Sequence, residues 1–204
     1  MIAMAIVAAL FVTAPQQPDS VVYLFSHASK FEVTTHKSGL FSFAGHEHVI
    51  RARAFAGRII YVPSAPERSR FEIVVPTDSL EVLTPPDTAE IRKVTAAMRS
   101  DVLDVAHHPE IRFESKALTR TSDGFRVTGT LTLVGKSQLV TVDIKTTIRS
   151  DTLRASGEFD AQQTAFGIRP YHGGPGGVVR VADRVTFHFE VIGLPCGHSC
   201  APAH

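Results

Sequence analysis

Residues 125–148 read FRVTGTLTLVGKSQLVTVDIKTTI, and this stretch decides the fold. Apolar side chains recur at about every second position on both sides of Gly135 and Lys136. Successive side chains of a β-strand point to opposite faces, so the pattern predicts two strands, each with one apolar and one polar face. The Gly135-Lys136 pair predicts the hairpin turn that joins them.

The same alternation continues outward along the chain and predicts further strands at residues 30–35, 70–75, 111–116 and 185–191. The segment Asp87–Asp104 instead places apolar residues at helical spacing, and Asp87 with Glu90 resembles a capping box. We therefore expect about eight antiparallel strands with one inserted helix of about four turns. Such strands either close into a barrel or pack as a sandwich.

Composition excludes several classes of protein. The chain has 204 residues, of which 44% are hydrophobic and 20% charged, and its net charge is +1. This balance argues against disorder and lacks the basic signature of nucleic-acid binding. No apolar run reaches the ~18 residues of a membrane span, so we expect no stable span in the mature chain. The sequence leaves the oligomeric state open.

The two ends of the chain differ from its centre. Met1–Val12 is an unbroken apolar run whose length fits the core of a signal peptide, the alternative being a buried helix or strand. We interpret residues 1–20 as a signal peptide, 21–193 as the folded domain and 194–204 as a disordered tail. This division predicts a periplasmic or secreted protein.

Two groups of residues have the chemistry of metal ligands. His46 and His48 would share one face of a strand, and His36 could supply a third ligand. The alternative is a polar turn with solvated histidines. The C-terminal tail contains Cys196, His198 and Cys200. Free thiols, a disulfide and a zinc or copper site all remain open for this tail, so an exported metal-binding or redox accessory protein is the alternative function.

No catalytic arrangement is recognisable in the sequence. Gly129–Ser137 has five residues between its glycines, where a phosphate-binding loop has four. Its alternating Thr and Leu residues are typical of a strand instead. We therefore predict that the protein is not an enzyme and requires no cofactor.

Small residues interrupt the apolar faces of the predicted strands at Gly57, Ser115, Gly129 and Gly157. On the inner face of a barrel, such residues either leave room for a ligand or mark bulges and tight bends. The residues alone favour neither interpretation.

Several motifs follow one another in a recognisable order: Ser26–Val33 (SHASKFEV), residues 45–48 (GHEH), residues 55–57 (FAG), residues 79–80 (SL), Val102–Val105 (VLDV), His108–Ser115 (HPEIRFES), Val127–Leu133 (VTGTLTL) with Gly135-Lys136, Phe166–Ile168 (FGI) and Val181–Val185 (VADRV). Together they resemble the YceI family of lipid- or polyisoprenoid-binding domains, from about Val22 to Ile192. The histidine-rich residues 45–48, the loop His172–Gly177 and the Cys/His tail depart from the family pattern.

The resemblance implies an all-β fold with one inserted helix, a lipocalin-like eight-stranded antiparallel β-barrel. Its interior would form an elongated tunnel for an isoprenoid-type lipid, such as a polyprenyl lipid or a quinone tail. Burial of each CH₂ group of the lipid stabilises the complex by about 0.8 kcal/mol. Such a tunnel would therefore bind its ligand tightly by apolar burial alone, and no catalytic group is needed. The expected function is non-catalytic binding or carriage of this lipid outside the cytoplasm.

Alternation supplies the candidates for the tunnel lining: Phe31, Val33, Phe55, Ile59, Phe71, Ile73, Phe113, Phe125, Val127, Leu131, Val142, Phe187 and Phe189. Arg169, Tyr171 and His172 lie beside the glycine-rich loop. We expect this loop to gate the mouth of the tunnel and Arg169 to contact the head group of the lipid.

Overall fold

The computed structural model describes residues 20–38, 47–83, 88–173 and 179–196. Its strands are β1 (Val21–Phe25), β2 (Lys30–Lys37), β3 (His48–Ala52), β4 (Ala56–Tyr61), β5 (Arg70–Pro76), β6 (Leu80–Val82), β7 (Glu110–Arg120), β8 (Gly124–Leu133), β9 (Lys136–Arg149), β10 (Thr152–Gln162), β11 (His172–Gly173) and β12 (Val179–Pro195). One α-helix, α1 (Thr88–Ala97), continues into a π-helical turn at Met98–Val102. No helix in the described part of the chain is long and apolar enough to cross a membrane.

The strands close into a ring. Antiparallel pairs follow the order β1–β4–β5–β7–β8–β9–β10–β12, and β12 pairs with β1 again. At the closing seam, Tyr23 lies opposite both Ile59 of β4 and Pro195 of β12. The described residues thus form an eight-stranded antiparallel barrel with one helix inserted between β6 and β7, as predicted. Strand β12 continues to Pro195, two residues beyond the predicted end of the folded domain.

Three sides of the barrel are built from broken strands. β1 and β2 both pair with β12, while β3 extends β4 and β6 extends β5. At the break between β1 and β2, the buried hydroxyl of Ser29 accepts a hydrogen bond of 2.9 Å from the backbone N–H of Ile192. A side chain therefore replaces the missing ladder bond, and the barrel wall stays hydrogen-bonded across the interruption.

The hairpin predicted within residues 125–148 is present, with its turn one residue earlier than expected. Val134 and Gly135 occupy the turn with φ of 48° and 69°, and β9 already begins at Lys136. Two positive φ values in a two-residue turn match the right-handed twist of the flanking strands. Gly135 adopts this backbone without strain, whereas a β-branched residue such as Val134 does so at a cost.

Strand direction defines two ends of the barrel. The upper end carries the β4–β5 connection (residues 62–69) and the turns at residues 121–123 and 150–151. The lower end carries α1, the β8–β9 turn and the β10–β12 connection.

The interior between the two ends holds two clusters of buried side chains. The lower cluster centres on Val127, Phe166 and Leu133, and the upper cluster on Tyr23 and Leu153.

The helix predicted for residues 87–104 is shorter in its α-helical part. The capping residue Asp87 lies outside the described residues. Met98 is buried, and Val102 and Leu103 pack against the lower cluster. The apolar face of this segment thus covers the lower end of the barrel.

Candidate functional site

The barrel encloses a cavity of about 580 Å³ that extends through its interior. Its lining reaches from Ile50, Leu80 and Ile111 in the lower half to Tyr61 and Ile148 at the upper end. A volume of this size is typical of pockets that bury most of a small organic ligand.

Aromatic rings make up much of the wall. Phe71 stacks on Phe113 with ring centroids 5.5 Å apart, and Phe159 stacks on Phe187 at 4.8 Å. These rings come from the inward positions of the strands, where alternation turns every second side chain away from water. The wall is therefore mostly apolar and offers mainly dispersion contacts. Its polar lining residues are Glu32, Ser69, Arg120, Thr146, Thr147 and His188.

Most of the predicted lining residues lie along this cavity. They are Phe31, Val33, Ile59, Phe71, Ile73, Phe113, Phe125, Leu131, Val142, Phe187 and Phe189. The other two candidates lie elsewhere. Val127 is fully buried in the lower cluster, and Phe55 packs edge-on against Phe31 with centroids 4.9 Å apart at the break between β3 and β4.

The inward glycines do not create this space, because phenylalanine rings occupy the volume beside them. A β-carbon added at Gly57 would overlap Phe25, and one added at Gly129 would overlap Phe113. At Gly157 it would lie 2.8 Å from Cζ of Phe189. The glycines therefore allow aromatic side chains to pack flat against the opposing strand.

The cavity meets solvent at the upper end. The lining residues that are exposed are Pro63, Arg120, Thr147 and Ile148, and all four lie on the β4–β5 connection or on the upper ends of β7 and β9. We call these four residues the mouth. At the lower end, the lining residues among those described are buried or half-buried.

Arg120 is the cationic group of the mouth. Its guanidinium lies 5.7 Å from the ring centroid of Phe125, and its Nε donates to Oε1 of Glu67 at 3.1 Å. A hydrogen bond from the backbone N–H of Glu67 itself, followed by the one from Arg120, lowers the pKa of the Glu67 carboxyl. The ion pair thus lies across the entrance, held against an aromatic ring of the wall.

A β-bulge turns Arg120 towards the cavity. The register of β7 against β8 shifts between Ser115 and Ala117, so the inward positions change from odd numbers to even numbers. Leu118 and Arg120 line the cavity as a result. Sequence reasoning missed Arg120, although the apolar Leu118, out of phase with Ile111 and Phe113, carried the signal.

The residues predicted for the mouth lie elsewhere. Arg169, Tyr171 and His172 are exposed on the β10–β12 connection at the lower end, and none of the three lines the cavity. Residues 174–178 of the glycine-rich loop lie outside the described residues. Among the described residues, the exposed part of the cavity lining therefore lies at the opposite end of the barrel from this connection.

A family model for the YceI-like domain matches residues 25–192, most of the chain. The chain belongs to the YceI-like family. The match covers every strand of the barrel from the end of β1 to most of β12, as the resemblance of its motifs predicts. No match was found among curated proteins.

Solved structures share the fold of this YceI-like domain. BcnA of Burkholderia cenocepacia has a TM-score of 0.65 at 19% identity, over 82% of this chain and 98% of its own. A polyisoprenoid binding domain from Saccharophagus degradans, implicated in plant cell wall breakdown, has a TM-score of 0.61 at 10% identity, over 87% and 100%. A Campylobacter jejuni YCEI protein has a TM-score of 0.56 at 14% identity, over 73% and 85%.

The candidate metal ligands of this YceI-like domain are only partly described. His46, His198 and Cys200 lie outside the described residues. His48 is buried, with 8% of its surface exposed, and its backbone N–H donates to Thr35 Oγ1. No group of three potential ligands is close enough for a metal within the described ranges. Cys196 is disulfide-bonded, which removes its thiolate.

A polar network lies on the outer face of the barrel at the lower end. Thr186 donates its hydroxyl proton to Asp160 Oδ1 at 2.6 Å, and His36 Nε2 lies 2.9 Å from the same hydroxyl oxygen. Because Thr186 has given away its only proton, Nε2 of His36 must act as the donor. The hydrogen bond from Thr186 lowers the pKa of Asp160, aided by Arg184 and His36.

Proposed function

We propose that this YceI-like domain binds and carries an isoprenoid-type lipid, such as a polyprenyl lipid or a quinone tail, with the tail inside the barrel. The observation that carries the proposal is the apolar cavity of about 580 Å³ with one described opening. The structurally similar protein from Saccharophagus degradans is a polyisoprenoid binding domain, which supports the same ligand class.

The size of the cavity suits a short isoprenoid chain. If each carbon with its hydrogens takes about the space of one water in the liquid, roughly 30 Å³, the cavity accommodates about 20 carbon atoms, or about four isoprene units. Each buried CH₂ group gains about 0.8 kcal/mol, and the aromatic wall adds dispersion contacts. Affinity then arises from the tail, without any directional bond inside the barrel.

The mouth suits a polar or anionic head group. Arg120 is 60% exposed at its side chain and stands where a ligand would leave the apolar wall. A phosphate or carboxylate would compete with Glu67 for the guanidinium, since Arg binds both anions in the same forked geometry. We therefore assign head-group binding to Arg120, at the opposite end from Arg169.

The proposed role is binding, with no chemical step and no cofactor. The site consists mostly of aliphatic and aromatic side chains, with a few polar residues and Arg120 at its entrance, an arrangement suited to holding a ligand. We further propose a periplasmic or secreted location, on the basis of the apolar run at Met1–Val12.

Mass spectrometry of an organic extract of the purified protein tests the proposal. We expect an isoprenoid or quinone in near-stoichiometric amount, and an Ala155→Phe variant, with its ring placed in the cavity, should yield little of it. An extract that stays blank, even after the protein has been offered polyprenyl alcohols and quinones, would contradict the proposal.

A further inference from the structure

The outer surface of the upper end carries an aliphatic patch. It consists of Val22, Leu24, Ile60, Ile192 and Leu194, which we call the collar. Leu24 lies directly opposite Leu194, and Val22 opposite Ile60, so these side chains share the outer face of three adjoining strands. Their neighbours in sequence, such as Tyr23, are buried inside the barrel.

The collar is unusual for the solvent face of a barrel strand. Leu24 and Leu194 are 43% and 47% exposed, whereas the same face of β12 further down carries Glu190 and His188. An aliphatic cluster on an otherwise polar surface marks a contact site, because its exposure to water is unfavourable.

Arginines flank the collar on both sides. Arg154 of β10 lies opposite Ile192, and Arg70 of β5 lies opposite Ile60. Arg68 and Arg149 are exposed on the adjoining rim. None of these four arginines has an ion pair with any residue that the structure describes.

The charge of the upper end is therefore positive. Its ion pairs Arg58–Glu72 and Arg120–Glu67 are internally neutral. Apart from these pairs, the described residues of this end include the four arginines and only two carboxylates, Asp123 and Asp151.

We infer that the upper end docks on an anionic lipid bilayer, with the collar in the interfacial layer and the four arginines on lipid phosphates. Aliphatic side chains framed by arginines are the composition that binds such an interface. A second copy of this chain is disfavoured as the occupant, since a two-fold contact through the collar would bring arginines close to arginines. The inference goes beyond the proposed function, and it places the mouth of the cavity against the membrane.

The absence of tryptophan from the chain allows a site-specific test. Leu194→Trp places a single indole on the collar, and Leu139→Trp places one at the lower end, where Leu139 is 71% exposed. With vesicles of phosphatidylcholine and phosphatidylglycerol, we expect a blue shift and quenching by brominated acyl chains for Leu194→Trp. Leu139→Trp should show neither effect, and pure phosphatidylcholine should give a much weaker response.

Charge variants test whether the four arginines bind lipid phosphates. Arg70→Gln with Arg154→Gln should raise the dissociation constant for the anionic vesicles on the order of tenfold. The matched pair Arg92→Gln with Lys93→Gln, on the exposed face of α1, should leave it unchanged. Added salt should weaken binding of the unmodified protein through screening.

Several outcomes would overturn the inference. One is an indole at position 194 that stays in water on all vesicles. A blue shift without vesicles that grows with protein concentration would identify a second copy as the occupant. A blue shift without vesicles that does not depend on protein concentration would identify residues 1–19 of the same chain as the occupant. Leu24→Trp serves as a second reporter if thermal unfolding shows that Leu194→Trp does not fold.

Discussion

The ring of Phe113 on β7 lies over Gly129 on β8, in the volume that a side chain at position 129 would need. A β-carbon there would lie 2.7 Å from Cε2 of Phe113 and closer still to Cζ. Phe113 in turn stacks on Phe71 across the wall of the cavity. One missing side chain thus sets the position of two aromatic rings.

The first prediction concerns this pair. The β-carbon of Gly129→Ala would overlap Phe113 and would also lie 2.7 Å from the backbone oxygen of Glu114. We therefore expect the free energy of unfolding to fall by about 1–3 kcal/mol, as in other overpacked cores. Urea denaturation measures the change, with Thr130→Ala, on the outer face of the same strand, as the control. Equal effects of both variants would show that Phe113 and the backbone of Glu114 both move aside freely.

The second prediction fills the cavity on purpose. Ala155 of β10 lines the cavity, and an Ala155→Phe ring would enter space that the native chain leaves open. We expect lipid binding to fall at least about tenfold while the melting temperature stays within a few degrees. Ser156→Phe, one residue along the strand and on the outer face, should bind normally. Normal binding by Ala155→Phe would place the ligand outside the barrel.

The third prediction concerns the length of the ligand tail. Affinity for polyprenyl alcohols should rise steeply with each isoprene unit up to about four units and then level off, because further units protrude through the mouth. Isothermal titration with a homologous series measures this dependence. An affinity that rises steadily up to eight isoprene units would mean that the barrel expands to hold more of the tail than the present cavity accommodates.

The fourth prediction separates the two partners at the mouth. Arg120→Gln should weaken binding of a polyprenyl phosphate about tenfold, since it removes a charged hydrogen bond. Glu67→Gln should strengthen that binding, because the competing carboxylate is lost. The corresponding alcohol should bind equally to both variants, and Arg112→Gln, on the outer face near the lower end, should change nothing. Parallel losses for phosphate and alcohol would assign Arg120 a structural role.

The fifth prediction concerns acid stability. The pKa of Asp160 is lowered below 3.8 in the folded state by the hydrogen bond from Thr186. A carboxylate whose pKa is depressed by folding stabilises the protein above its unfolded pKa, and this contribution disappears as the pH falls through the folded value.

Asp160→Asn should therefore lower the melting temperature at pH 6, and the difference from the native protein should vanish in strong acid. Asp123→Asn, whose side chain has no ion pair in the described structure, is the control. A difference for Asp160→Asn that persists at every pH would mean that charge has no part in the network.

The strands themselves were predictable because alternation is a local property of the chain. Phe125–Leu133 with its partner β9 shows this, since one polar and one apolar face require no knowledge of distant residues. The inserted helix followed from its own spacing for the same reason. Alternation alone did not distinguish a closed barrel from a sandwich. The order of the motifs indicated the family, and with it the closed barrel.

Other features required the tertiary structure, because they depend on contacts between distant residues. The bulge after Ser115 turns Arg120 into the mouth, and only the register of β7 against β8 reveals it. Whether Gly129 leaves a void depends on Phe113 of the neighbouring strand. The sequence by itself determined which side chains face inward along most strands. The packing of the closed barrel decided which of them leave space, and at which end the described lining is exposed to water.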